Sequence, residues 1–234
     1  MRMLGKSALA IGVAVALPLA VSPAAASASA IADWEMNESA GYGGTMHDST
    51  SHQIDGNIGE KVQRHEVRGE RTGYRFFVEG SNTAKQDRLV TVPDQAALDP
   101  GTRTYVVKLG FRTGAGDQNL VQKGQSNTDG GFFKVDMSKG ILHCTFKDEN
   151  GVQRGIGSGV KLNDTKRHIV KCKRKASDVS ITVDGGTPRR TTGPTGNINN
   201  STALTIGGKK FCNETTVGCD YFVGVLDRVI LKAS

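Results

Sequence analysis

The feature that most constrains this chain is a succession of short alternating segments in its last third. These segments run over residues 179–183, 203–208 and 221–231, and Asp184-Gly-Gly186 follows the first of them. Alternation of apolar and polar residues over about four to eight positions is typical of β-strands with one buried face. Glycine and aspartate supply the positive φ angles that tight hairpin turns require. The pattern therefore predicts antiparallel strands joined by short turns.

Comparable alternating runs recur through the rest of the chain. They cover residues 74–78, 88–92, 105–111, 132–137, 141–146 and 168–173. Helical periodicity is nearly absent beyond the N-terminal segment, and the 30 glycines are spread between the runs. Strands of this kind bury their apolar faces by stacking two sheets. We therefore predict an all-β sandwich; an immunoglobulin sandwich is the alternative, although that fold usually needs only about 100 residues.

The N-terminal segment has the pattern of an export signal. Arg2 and Lys6 precede an apolar run that ends near Val21, and Ala28-Ser-Ala30 offers small residues for cleavage. An apolar run of about 14 residues is shorter than the ~20 that a membrane helix needs. We predict that residues 1–30 are a signal peptide, that residues 31–234 form a single domain, and that the mature protein is secreted without membrane insertion.

Charge and composition bear on the choice of partner. Removal of Arg2 and Lys6 lowers the formal net charge from +7 to +5, and aromatic residues make up 6% of the chain. A nucleic-acid-binding protein usually carries a denser basic patch with interleaved aromatic residues. The composition therefore predicts no nucleic-acid partner.

All four cysteines lie after the predicted signal peptide. An even number in an oxidising compartment predicts two disulfides, for which three connectivities exist. Cys144 and Cys172 each share a strand face with apolar neighbours, and Cys212 and Cys219 enclose a short loop. We favour bonds between Cys144 and Cys172 and between Cys212 and Cys219. A zinc site made of the four thiolates is the alternative, although the spacing lacks a C-x2-C pair.

Several of these segments resemble motifs of the laminin G-like and concanavalin A-like jelly rolls. Residues 183–185 are similar to the strand and hairpin of that family, residues 204–207 to its penultimate strand, residues 222–227 to its closing strand, and residues 33–36 and 48–56 to its first elements. Residues 164–168 are similar to the motif that enters a central strand, with Arg167 in place of a tryptophan. The resemblance implies a two-sheet antiparallel jelly-roll sandwich whose first strand, at residues 33–36, pairs near residues 223–231.

The resemblance also implies one structural calcium ion. Its ligands would be Asp227, the carbonyl of Gly56 and an oxygen near Asp33. Calcium takes six or more oxygen ligands, so water or further carbonyls would complete the shell. The residues leave an alternative open, in which Asp227 pairs with a basic side chain on a neighbouring strand.

No catalytic motif is found in the chain. The glucanases of this fold place carboxylates as E-x-D-x-E or E-x-D-x-x-E, and neither string occurs here. The resemblance therefore implies a monomeric, non-catalytic module that binds extracellular polysaccharide or a cell-surface glycan. The alternative is a hydrolase or lyase whose acidic residues are distant in sequence and come together only in the folded protein.

Two sets of residues are candidates for the binding surface. Tyr74 and Tyr105 are candidate rings for sugar stacking, since aromatic side chains usually supply that contact. Lys171 and Lys173 lie on one strand face by alternation and predict a cationic surface for anionic polymers. The alternatives are protein adhesion at the cell surface through these lysines and a solvated strand face without a partner.

Overall fold

The computed structural model describes residues 29–38, 43–77, 85–209 and 220–234. Most of the predicted signal peptide and the predicted Cys212–Cys219 bond lie outside the described residues, although Ser29 and Ala30 already belong to the first strand. The only helices within the described ranges are two short 3-10 turns, Lys85–Arg88 and Ala96–Leu98. None of the helices in this part of the chain has the length and apolarity to cross a membrane.

The described residues form sixteen β-strands. In chain order they are β1 (Ser29–Trp34), β2 (Thr45–Met46), β3 (Gly56–Ile58), β4 (Gln63–His65), β5 (Gly73–Phe76), β6 (Val90–Val92), β7 (Tyr105–Arg112), β8 (Gln118–Lys123), β9 (Phe132–Ser138), β10 (Ile141–Lys147), β11 (Gln153–Lys161), β12 (His168–Lys175), β13 (Asp178–Val183), β14 (Arg189–Thr192), β15 (Leu204–Ile206) and β16 (Gly224–Ala233).

The strands form two eight-stranded antiparallel sheets. Sheet A has the order β14-β13-β12-β7-β16-β5-β4, with β1 also paired to β16. Sheet B has the order β11-β10-β9-β8-β15-β6-β3-β2. The first strand lies beside the last, with Asp33 opposite Ile230 and Trp34 opposite Val229. This arrangement confirms the predicted jelly-roll sandwich.

The core lies between the two sheets and contains the two tyrosines that were candidates for binding. Tyr74 and Tyr105 are 1% and 0% exposed. The Tyr74 hydroxyl donates to Glu38, and the Tyr105 hydroxyl donates to the carbonyl of Leu98 at 2.9 Å. Burial raises the pKa of both hydroxyls. The prediction that these rings stack on a sugar is therefore wrong, because alternation places them on the same strand faces as core residues.

One disulfide joins the two sheets through this core. Cys144 lies on β10 of sheet B and Cys172 on β12 of sheet A, with a Cα–Cα distance of 5.7 Å. Both cysteines are fully buried. The prediction of a Cys144–Cys172 bond is confirmed, and the Cys212–Cys219 bond stays a prediction.

Loss of the inter-sheet disulfide is expected to destabilise the domain. The double variant Cys144→Ala/Cys172→Ala should lose about 2–5 kcal/mol of unfolding free energy, since the bond closes a loop of 28 residues. Urea unfolding monitored by tryptophan fluorescence measures this change. Peptide mapping without reductant should recover one peptide pair joined at Cys144 and Cys172, and free thiols at both positions in secreted protein would contradict the bond.

Candidate functional site

Two adjoining depressions mark the outer face of sheet A. The first has a volume of about 260 Å³ and is lined by Arg71, Lys108, Leu109, Gly110, Arg167, Ile169, Arg228 and Ile230. The second has a volume of about 490 Å³ and is lined by Lys108, Arg167, Ile169, Lys171, Thr182, Asp184 and Gly185. Because they share three lining residues, we treat them as one surface and call it the cationic groove. It crosses the strands from β13 over β12 and β7 to β16.

Strand register brings two lysines of the groove face to face. Lys108 on β7 lies directly opposite Lys171 on β12. Both side chains are exposed, and neither has an ion-pair partner among the described residues. Like charges directly opposite on neighbouring strands are destabilising. An anion bound between the two ammonium groups would remove that repulsion.

The sequence assigned Lys171 and Lys173 to one cationic face, and the structure places both on the outer side of β12. Lys171 lines the groove, whereas Lys173 lies one row further along the strand, opposite Val106. Arg174 points the other way, as alternation predicts, and is 0% exposed. Its guanidinium donates to the hydroxyl of Thr195 and to the carbonyl of Gly101.

A bulge in β16 places one carboxylate against Arg167, a residue that lines the groove. Leu226 pairs with Phe111 and Arg228 with Gly110, so Asp227 is the additional residue. The Asp227 side chain is 3% exposed and accepts hydrogen bonds from Nε and Nη2 of Arg167 at 2.6 and 2.7 Å. These hydrogen bonds raise the pKa of Arg167.

Gly110 leaves room for this ion pair. A Cβ atom at Gly110 would overlap the carboxylate of Asp227 and lie 2.8 Å from Nη2 of Arg167. A third charged group, Nε of Arg71, lies 3.6 Å from Oδ1 of Asp227. The glycine therefore allows the carboxylate and the guanidinium to lie against the sheet surface.

A second ion pair borders the groove on β16 and β1. Arg228 donates from Nε to Oδ1 of Asp33 at 2.7 Å and from Nη2 to Oδ2 at 2.5 Å. Glu35 lies 3.8 Å from the same Nη2. The hydrogen bonds that Arg228 donates to Asp33 raise the pKa of Arg228.

Two of the three predicted calcium ligands are engaged by arginine side chains. Asp227 is engaged by Arg167 and Asp33 by Arg228. Gly56 lies on β3 of sheet B, where a Cβ atom would lie 2.9 Å from Met46 and 3.2 Å from Val90. Within the described residues no group of three His, Cys, Asp or Glu side chains is placed to hold a metal ion. Asp227 thus makes the contact that the sequence left open as the alternative, with a basic side chain on a neighbouring element. Calcium binding by the protein stays a prediction.

A histidine between two carboxylates lies at one end of the groove. His168 contacts Asp184 from Nδ1 at 2.8 Å and Asp164 from Nε2 at 3.0 Å. The other carboxylate oxygen of Asp184 accepts from the backbone N–H of Ile169 at 2.7 Å. Burial lowers the pKa of His168, but the hydrogen bonds to both carboxylates outweigh it and raise the pKa above its usual value.

Sequence reasoning missed most of the groove. Arg71, Lys108 and Arg228 were not candidates because they come from three separated parts of the chain. Arg167 carried a signal, since it replaces a tryptophan in an otherwise similar motif. Lys108 also carried one, as a charged residue inside the apolar run 105–111.

The sequence and structure of the chain were compared with those of known proteins. Residues 111–233 match the family model of the laminin G domain. None of the curated proteins compared with the chain matches it.

Three solved structures have a similar fold. The binding domain of Paraclostridial mosquitocidal protein 1 is 11% identical with a TM-score of 0.61, covering 87% of this chain and 47% of that one. Domains LG4-5 of the mouse laminin alpha1 chain are 17% identical with a TM-score of 0.52, covering 73% and 48%. Domain 4 of AbnA, an extracellular arabinanase from Geobacillus stearothermophilus in complex with arabinotriose, is 11% identical with a TM-score of 0.61, covering 88% and 93%. The chain spans about half the length of the first two structures, and at these identities the likeness shows the fold alone.

Substitution of Asp227 separates the two roles considered for this residue. Asp227→Asn is expected to lower the unfolding free energy by about 2 kcal/mol, because it leaves the guanidinium of Arg167 unpaired against the sheet. Thermal melting of wild type and variant, each with and without a calcium chelator, measures the effect. A melting temperature that falls on chelation in the wild type but not in the variant would instead assign Asp227 to calcium.

Stability is expected to depend on the protonation of His168. Because the folded pKa is raised, the stabilisation is fully present below the unfolded pKa of about 6.5 and is lost as the pH rises through the folded pKa. The difference in melting temperature between wild type and His168→Gln, measured from pH 5 to 9, should therefore shrink with rising pH. The exposed His52, substituted in the same way, serves as the control, and a difference for His168→Gln that does not change with pH would contradict the expectation.

Proposed function

Because the chain belongs to the laminin G domain family, we propose that it is a non-catalytic module that binds carbohydrate outside the cell through the cationic groove. The predicted signal peptide and the buried Cys144–Cys172 bond support export, since disulfides persist in oxidising compartments. The fold supports a binding role, as two of the structures with a similar fold are the binding domain of a mosquitocidal protein and a domain in complex with arabinotriose.

The observation that carries the proposal is the shape and chemistry of the cationic groove. It crosses four neighbouring strands, β13 to β16 through β12 and β7, so it extends over about 15 Å at the usual strand spacing. Ile169 and Ile230 supply apolar surface, while Arg167, Arg228 and Lys108 supply hydrogen-bond donors. A surface of this length suits a linear chain of several sugar units.

The charge of the groove favours an acidic carbohydrate. Asp227 and Asp33 balance Arg167 and Arg228, but Lys108 and Lys171 have no such partner in the described part of the chain. Carboxylate or sulfate groups on a polysaccharide would neutralise these two ammonium groups. Binding would then weaken as salt screens the charges.

The carboxylates of the groove favour binding over hydrolysis. Glycosidases of the usual kind need two carboxyl groups that face each other across the scissile bond. Asp227 is engaged by Arg167, and Asp184 by His168. Among the described residues that line the groove, Asp184 is the one carboxylate, so it has no second lining carboxylate to face it.

Adhesion to protein surfaces through lysines is the second candidate function. Lys173 and Lys232 lie on the same outer face, both in register with Val106, and extend the positive surface beyond the groove. Such adhesion would be salt-sensitive and indifferent to the structure of the anionic partner.

Replacement of the two opposed lysines tests the proposal. Lys108→Ala/Lys171→Ala should weaken binding to polygalacturonate about tenfold, because two charge-assisted contacts are lost. Lys61→Ala/Lys161→Ala is the matched control, since both residues are exposed and do not line the groove. Isothermal titration calorimetry measures the affinities.

Three outcomes would contradict the proposal. Equal affinities for the two double variants would exclude the groove as the site. Equal affinity for polygalacturonate and for an unrelated acidic protein would favour adhesion. Release of reducing ends from the polysaccharide would show that the protein is a hydrolase or lyase.

A further inference from the structure

We propose that Arg167 recognises a planar or tetrahedral oxyanion group of the ligand, a carboxylate or a sulfate, through the free edge of its guanidinium, and that Asp227 is the residue that positions it. This inference rests on the proposed carbohydrate-binding function. It differs from a general attraction of anions because it assigns a directional contact to one side chain.

The hydrogen bonds of Arg167 leave one edge of the guanidinium available. A guanidinium has five N–H donors in a fixed fork geometry. Asp227 takes one donor from Nε and one from Nη2. No hydrogen bond from Nη1 to a described residue is present, so the edge formed by Nη1 and the second hydrogen of Nη2 is unpaired within the described structure. That edge matches two oxygens of a carboxylate or a sulfate.

The contacts around Arg167 hold this edge in place. The carboxylate of Asp227 is 3% exposed and is fixed at a bulge, and it also lies 3.6 Å from Nε of Arg71. Gly110 provides the space that a larger residue would fill. A side chain already ordered in the free protein loses little conformational entropy when the ligand binds. The ion pair with Asp227 thus orders Arg167 for the ligand as well as stabilising the fold.

Arg167 also occupies the central position in the groove. It lines both depressions, with Arg228 and Ile230 on one side and Lys171 and Thr182 on the other. Its side chain is 34% exposed, so a ligand can reach it. A polysaccharide bound along the groove would therefore contact Arg167 in either chain direction.

Charge-conserving substitution separates a directional contact from simple attraction. Arg167→Lys keeps the positive charge but loses the fork, and should weaken binding to polygalacturonate and to dextran sulfate about tenfold. Arg68→Lys is the matched control, because it makes the same change at an exposed arginine that does not line the groove; it should change either affinity by less than about threefold. Neutral dextran should not bind to any of these proteins.

A double-mutant cycle of Arg167 and Asp227 tests whether Asp227 acts through Arg167. Asp227→Asn alone should also weaken binding about tenfold, and the double variant Arg167→Lys/Asp227→Asn should lose little more than either single variant. Circular dichroism checks that each variant is folded. If Asp227→Asn does not fold, the comparison of Arg167→Lys with Arg68→Lys decides whether the contact is directional.

The outcomes distinguish this inference from the function on which it rests. Failure of the wild type to bind polygalacturonate and dextran sulfate would overturn both. Binding that depends on Lys108 and Lys171 but is unchanged in Arg167→Lys would leave the cationic groove as the site and overturn the role of Arg167. Additive losses in the double variant would overturn the positioning role of Asp227.

Discussion

The structure depends on burial of apolar faces between two sheets that are also joined by one covalent bond. Alternating strands give each sheet a single apolar face, and stacking hides both faces from water. The Cys144–Cys172 bond crosses this interior from β10 to β12. Because β12 also supplies Ile169 and Lys171 to the groove, the bond ties the floor of the binding surface to the opposite sheet. The outer face of sheet A thus has a rigid support.

Charges on that outer face are arranged in two different ways. Two guanidinium groups, those of Arg167 and Arg228, are held by carboxylates and are ordered without a ligand. Two ammonium groups, those of Lys108 and Lys171, oppose each other and keep their repulsion. Ordered donors give direction to a contact, and unbalanced charge gives attraction over a distance of about 10 Å in moderate salt. The groove combines both properties on one strand-crossing surface.

The fold could be predicted from sequence much further than the site. Alternation identified nine of the strands because one face of each is apolar, whereas β8 is buried along its whole length and β11 contains three glycines, so neither alternates clearly. The disulfide was predictable for the same reason as the strands. The groove could not be predicted in this way. Arg71 and Arg228 are distant in sequence, and only the strand order β5-β16-β7-β12 of sheet A brings them to the same surface.

Pairing of β1 with β16 has a mechanical consequence. Ser29 lies opposite Ala233 in antiparallel register, so a force that pulls these two positions apart would break the hydrogen bonds of the pair one after another rather than all at once. The domain would therefore open at low load from this edge. The chain could not then be stretched to its full contour length, because the bond between Cys144 and Cys172 keeps a loop of 28 residues closed. That loop corresponds to about 95 Å of extended chain. Reduction of the disulfide would open this loop, so the length to which the domain can be stretched depends on redox conditions.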